Sequence, residues 1–141
     1  MLVKSKILII DASESTRTFM RFILGNSGFR ITVTATAARA LEEIEEQLFD
    51  VVLVDLRLPD MDGLELIREI RSVKAFEATP IVSVIQMLDA GKEDEQAAAG
   101  VTHWINQPVS PHKLIEIITE ISPDPEEYDD DMVNDLINQN K

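Results

Sequence analysis

The sequence predicts an α/β domain: a parallel sheet covered by helices on both faces. Two observations carry this. Short apolar runs alternate with amphipathic or Ala-rich stretches at spacings of roughly 20–25 residues, and strands joined through crossover helices make parallel sheets. The runs are also continuously apolar, as strands buried on both faces are. Short loops between each strand and its helix fit the doubly wound class, whose functional groups gather at the carboxyl ends of the strands.

The elements follow in order. Lys6-Ile7-Leu8-Ile9-Ile10 is the first strand, and Asp11 ends it. Ser13 is a good N-cap for a first helix whose inward residues are expected at Phe19, Phe22 and Ile23, closing near Gly25–Gly28. Phe29–Thr34 reads as the second strand, and Ala37–Gln47 as the second helix with Leu41 and Ile44 inward. Asp50–Val54 is the third strand, ending at Asp55. A turn with Pro59 and Asp62-Gly63 leads into a third helix carrying Leu64, Ile67 and Ile70. Pro80 opens the fourth strand, Ile81–Ile85. Residues 89–99 read as a fourth helix closed by Gly100, and Val101–Ile105 as the fifth strand. After Pro108 comes a fifth helix with Leu114, Ile117 and Ile118 inward.

The chain has 141 residues, no cysteine and two histidines, His103 and His112. Disulfide scaffolds, thiol chemistry and Cys-ligated metals are excluded, and a His-rich metal site is not indicated. Both histidines read as surface residues. The net charge of −13 repels phosphate backbones, so no direct nucleic-acid binding is expected. No apolar run reaches membrane-span length and no leader is evident, so a cytoplasmic location is expected. Residues 122–141 hold seven acids and one base, with Pro123 and Pro125 at the boundary. This divides the chain into a folded domain, 1–121, and an acidic tail or linker, 122–141. Met132, Val133, Leu136 and Ile137 fall at helical spacing in that tail.

Asp11 and Asp55 end the first and third strands, whose ends can lie side by side in such a fold. Either one alone reads equally as a loop acid or a helix cap. Two carboxylates held close repel each other, which implies a cation or a raised pKa.

The stretches Lys6–Asp11 and Asp55-Leu56-Arg57-Leu58-Pro59-Asp60-Met61-Asp62-Gly63 resemble the receiver domain of two-component response regulators. The resemblance covers nearly all of residues 5–121, and Asp-x-x-Leu-Pro-x-Met-Asp-Gly is its specific part. It implies the flavodoxin-like strand order 2-1-3-4-5 and makes Asp55 the acceptor of a phosphoryl group from a histidine kinase. It also implies Mg²⁺ held by Asp11 and Asp55, a cis Gln107-Pro108 bond, and Trp104 as the aromatic that relays the signal. Protein partners are implied, a kinase or an output protein, as is a homodimer through the output face.

Three positions depart from the family pattern. Ala12 stands where the second acid of the pair is usual and has no ligand atom. Ile85 replaces a Ser or Thr and cannot donate a hydrogen bond. Gln107 replaces a Lys and carries no charge. Phosphoryl transfer is catalysed by positioning and charge stabilisation, so these losses leave the Mg²⁺ site weak or absent. Arg57, two residues after Asp55, is a candidate to bring compensating charge, or a solvent-facing residue. Ser83 lies too far back along its strand to replace the missing hydroxyl.

The expectation is therefore an atypical receiver that binds protein partners through the face around Trp104. At most it would phosphorylate and dephosphorylate itself slowly. The alternative is an ordinary phosphoacceptor receiver. An aspartyl-phosphate phosphatase of another α/β class fits less well, because Arg57 stands where such enzymes commonly place a second Asp.

Overall fold

The computed structural model describes residues 2–86, 91–123 and 126–127. The strands are β1 (Leu2–Val3), β2 (Lys6–Ile10), β3 (Arg30–Thr34), β4 (Val51–Val54), β5 (Ile81–Ile85), β6 (His103–Asn106) and β7 (Glu126–Glu127). The helices are α1 (Glu14–Asn26), α2 (Ala37–Glu46), α3 (Gly63–Ser72), α4 (Glu93–Ala99) and α5 (Pro111–Ile121), with a 3₁₀ turn at Lys74–Phe76. The main sheet is parallel in the order β3-β2-β4-β5-β6. Counted over the five strands expected from the sequence, this is the order 2-1-3-4-5.

The continuous apolar runs are explained by burial on both sides. Leu8, Ile10, Val52 and Val54 face one layer with Ile44, Leu66, Ile67 and Ile70 of α2 and α3. Ile7, Ile9, Val51 and Leu53 face the other, with Met20, Leu24, Leu114 and Ile118 of α1 and α5. Side chains alternate along a strand, so neither face can be polar without exposing charge to a core.

The helix boundaries obey their caps. Ser13, Thr36, Asp62 and Ser110 accept from backbone N–H groups in the first turns of α1, α2, α3 and α5. The helix-forming pattern in α1 misleads at one residue. Phe22, expected inward, is 66% exposed, while Met20 and Leu24 are fully buried. Two residues along a helix turn the side chain about 200°, so a face centred on Met20 and Leu24 puts Phe22 opposite. The fourth helix begins at Glu93 rather than 89, after Gly91 at φ 87°. Residues 89 and 90 lie outside the described residues. The fifth strand runs His103–Asn106, two residues later at its start than expected.

One feature has no sequence signal. Leu2–Val3 pairs antiparallel with Glu126–Glu127, outside the main sheet. Strands of two residues are too short to show a period. The tail from 128 onward, with its apolar spacing, lies outside the described residues.

The β4–α3 connection is tightly built. A Cβ on Gly63 would stand 2.4 Å from Leu56 Cα and 2.6 Å from the Leu56 carbonyl oxygen. Asp62 caps α3 by accepting from the Leu64 N–H at 2.8 Å. The Asp60 carboxylate accepts from the N–H groups of Ala37 at 2.9 Å and Ala38 at 3.0 Å, tying the loop to α2. Those two helix donors hold the Asp60 carboxyl below its ordinary value of 3.8. Backbone atoms opposite Gly63 cannot yield as a flexible side chain would. Gly63→Ala is therefore expected to lower stability by about 1–3 kcal/mol in urea denaturation, and an unchanged midpoint would refute the close approach.

Candidate functional site

The parallel ladder brings the strand ends together. Ile10 and Val54 are register partners, and the Asp55 N–H donates to the Ile10 carbonyl at 2.9 Å. Asp11 and Asp55 therefore stand at neighbouring positions on the carboxyl edge of the sheet. Both are buried, at 2% and 9% exposure. Each has one carboxylate oxygen engaged locally. Asp11 Oδ1 accepts from the Ser13 N–H at 2.8 Å, and Asp55 Oδ1 from the Arg57 N–H at 2.9 Å.

Burial pushes the Asp11 carboxyl above its ordinary value of 3.8, and the nearby Asp55 carboxylate adds to the rise. The Ser13 N–H and the Arg17 guanidinium act against it. Arg17 comes from the first turns of α1, and its Nη1 donates to the Asp11 backbone carbonyl at 2.7 Å. The sequence reading missed it, because one Arg in a polar helical turn carries no distinguishing signal. Arg17 is thus a cation that bears on the acidic pair through Asp11.

The other positions sit along the same edge. Ile85 ends β5, next to β4, and is buried. Gln107 follows β6, and its N–H donates to the Ile85 carbonyl at 2.8 Å. The Gln107–Pro108 bond is cis. Ala12 is exposed beside Asp11. Arg57 contacts Asp55 through its backbone N–H, while its guanidinium donates to Gln86 Oε1, just past β5.

Trp104 is half-buried on β6 and packs against the layer formed by α3 and α4. Its indole N–H donates to Gln96 Oε1 of α4 at 2.9 Å, and Gln96 is itself 1% exposed. Gln96 was not singled out from sequence, since a Gln before three alanines reads as helix filler. His103 engages the Thr102 hydroxyl at 2.7 Å, and His112 is exposed. Neither approaches the acidic pair as a ligand.

Mg²⁺ demands near-octahedral oxygen coordination and commonly combines carboxylates with water or phosphate oxygens. Here the donor set is two carboxylates, each already accepting a backbone N–H, with Ala12 offering no side-chain oxygen. Among the described residues no group of three or more His, Cys, Asp or Glu side chains is arranged to hold a metal ion. The donor set fits Mg²⁺ poorly.

Comparison with known proteins agrees with the topology. The family model for the response regulator receiver domain matches residues 7–119. An uncharacterized 14.6 kDa protein of Leptolyngbya boryana is 33% identical over 121 residues, 84% of this chain and 91% of that protein. The chemotaxis protein CheY4 of Vibrio cholerae superposes with a TM-score of 0.78 at 25% identity, over 84% of this chain and 98% of that one. The receiver domain of a sensor histidine kinase from Pseudomonas aeruginosa superposes at 0.76 with 26% identity, over 83% and 96%. That structure has a magnesium ion coordinated in its active-site cleft. Three further curated relatives are longer, and this chain spans 8%, 25% and 45% of their length.

The raised Asp11 carboxyl has a pH consequence. The folded state holds the Asp11 proton more tightly than the unfolded state, so ionisation of Asp11 costs stability above its folded pKa. Asp11→Asn is expected to stabilise the protein at neutral pH, and the gain should vanish as pH falls below 3.8. Urea denaturation at both pH values checks this, and an absent gain at neutral pH would contradict it.

Proposed function

The chain belongs to the response regulator receiver domain family of two-component signalling, and on that premise we propose that it is an atypical receiver: a protein-binding module in which Mg²⁺-dependent phosphorylation of Asp55 is weak or absent. The supporting observation is the set of side chains at the carboxyl edge. Beside Asp11 and Asp55 stand Ala12, without a ligand atom, Ile85, without a donor, and Gln107, without a charge.

A phosphoryl group arriving at Asp55 brings negative charge next to a second carboxylate. Its transfer depends on cations and donors placed to receive that charge. In this reading Asp55 is the acceptor position, Asp11 orients the edge through the Ser13 N–H, and Arg17 offsets part of the negative charge near Asp11. At most, slow self-phosphorylation and dephosphorylation occur at Asp55, so the protein is a signalling component rather than an enzyme.

Binding is assigned to the face of α4, β6 and α5 around Trp104. Tryptophan is enriched at the energetic centres of interfaces. A partner that prefers one arrangement of this face shifts its population without any covalent step. A histidine kinase, an output protein and a second copy of the chain are the partner classes in view. The acidic surface disfavours nucleic acid. Among the described residues no helix is long and apolar enough to cross a membrane, and a cytoplasmic site of action accords with this reading.

A second reading is an ordinary phosphoacceptor. It is favoured by Asp55 itself, which keeps its buried place at the end of β4. An amide NMR titration with Mg²⁺ and then beryllofluoride, an acyl-phosphate mimic, separates the two. The atypical reading predicts no saturable shifts around Asp11, Asp55 and Trp104 at millimolar Mg²⁺ beyond those of Asp55→Asn. Saturable shifts that vanish in Asp55→Asn would establish the phosphoacceptor reading instead.

A further inference from the structure

The amino edge of the sheet, at the far end from Asp11 and Asp55, has features of its own. Leu48–Asp50 run into β4, Lys74–Thr79 lead toward β5, and between them lies a cavity lined by Leu48, Phe49, Lys74, Ala75, Glu77 and Ala78. Leu48 is 65% exposed at its rim, and Val73, next to Lys74, is exposed as well. Lys4, Lys6 and Arg30 stand at the same edge, where β2 and β3 begin. Lys4 Nζ donates to the Ser27 carbonyl, Lys6 Nζ to Gln47 Oε1, and Arg30 Nε to the Lys4 carbonyl. All three acceptors are neutral, and among the described residues no carboxylate is ion-paired with these three side chains.

One segment of the chain is delivered to this edge. β7 pairs with β1, with Glu127 opposite Leu2, and β1 leads through Lys4 and Ser5 into β2. Lys6 in turn is joined to the start of β4: its N–H donates to Asp50 Oδ2 at 2.8 Å, and the Asp50 N–H donates to the Lys6 carbonyl at 2.8 Å. The residues that follow Glu127 read Tyr128-Asp129-Asp130-Asp131-Met132-Val133-Asn134-Asp135-Leu136-Ile137. From Glu127 to Met132 an extended chain spans about 17 Å, and neighbouring strands are about 5 Å apart, so the apolar tail residues can reach the Leu48 cavity.

We propose that residues 128–137 form a strap over the amino edge of their own chain. Asp129, Asp130 and Asp131 meet the cations of Lys4, Lys6 and Arg30, and Met132, Val133, Leu136 and Ile137 lie over Leu48 and Val73. In helical form those four apolar residues share one face, at i, i+1, i+4 and i+5. The order along the tail matches the order across the edge: acids come first, beside β2 and β3, and apolar residues next, at the entries to β4 and β5. Charge selects this segment, since it brings carboxylates to cations whose acceptors are all neutral. The β1–β7 pairing favours the chain's own tail over that of a second copy, because a short tether keeps its local concentration high. The strap covers the edge remote from Asp55, so it is independent of any reaction there.

The chain has no cysteine, so Asn138→Cys gives a single attachment point for a nitroxide, on the side of the helical turn away from the four apolar residues. In the ¹⁵N-labelled full chain the nitroxide should broaden the amide signals of Lys6, Leu48–Asp50 and Lys74–Thr79, and leave those of Ile85 and Gln107 at the carboxyl edge sharp. Adding Leu136→Ser and Ile137→Ser should remove that broadening. Leu48→Ser changes an exposed side chain of the folded domain and should remove it too. Replacing Asp129, Asp130 and Asp131 together by Asn should reduce it. No broadening at the amino edge, equal broadening at both edges, or broadening unchanged by Leu136→Ser and Ile137→Ser would overturn the proposal. So would equal broadening of a ¹⁵N-labelled chain without nitroxide when mixed with the spin-labelled chain, since that places the tail on a second copy.

Discussion

Two carboxylates held in adjacent positions at the edge of a dry sheet are the constraint around which this structure is arranged. The register that pairs Ile10 with Val54 leaves Asp11 and Asp55 no choice but proximity. Their charge is met locally, by the Ser13 and Arg57 N–H groups and by Arg17 at the start of α1. None of these is a dedicated binder of a transferring phosphoryl group. The edge keeps Asp55 at the end of β4, while the side chains of Ala12, Ile85 and Gln107 supply neither ligand, hydroxyl nor charge.

The scaffold beneath the edge is rigid for reasons unrelated to phosphoryl chemistry. The sheet is buried on both faces, and the β4–α3 loop is pinned by the Gly63 approach, the Asp62 cap and the bonds from α2 to Asp60. A loop held this firmly presents Asp55 in one place whether or not it reacts. Toward α4 and β6, Gln96 and Trp104 share a hydrogen bond on the face to which binding is assigned. On the proposed reading, the domain keeps the shape of a receiver while its changes are driven by what binds its face.

Much of this was legible in the residues, for identifiable reasons. A parallel sheet buried on both sides writes continuous apolar runs, and Ile7–Ile10, Val51–Val54 and Ile81–Ile85 are such runs. Asp11 and Asp55 stood out because each directly follows one of them. What stayed hidden depends on rotation and reach. Phe22 fits a helical spacing, yet the burial of Met20 and Leu24 turns it outward. Arg17 and Gln96 act through contacts 6 and 8 residues distant in sequence, with no motif to mark them. Arg57, named from the sequence for its charge, also meets Asp55 through its backbone, which no sequence pattern marks. Its backbone N–H donates to Asp55, and its guanidinium donates to Gln86.

On the proposed reading, phosphoryl chemistry at Asp55 is limited by three side chains and not by the fold. The most direct measurement is intact-mass spectrometry of the chain incubated with acetyl phosphate and Mg²⁺. It would run beside a variant carrying Ala12→Asp, Ile85→Thr and Gln107→Lys. The account predicts phosphoryl mass on the triple variant, lost again with Asp55→Asn, and little or none on the unmodified chain. Equal labelling of the unmodified chain at Asp55 would contradict it.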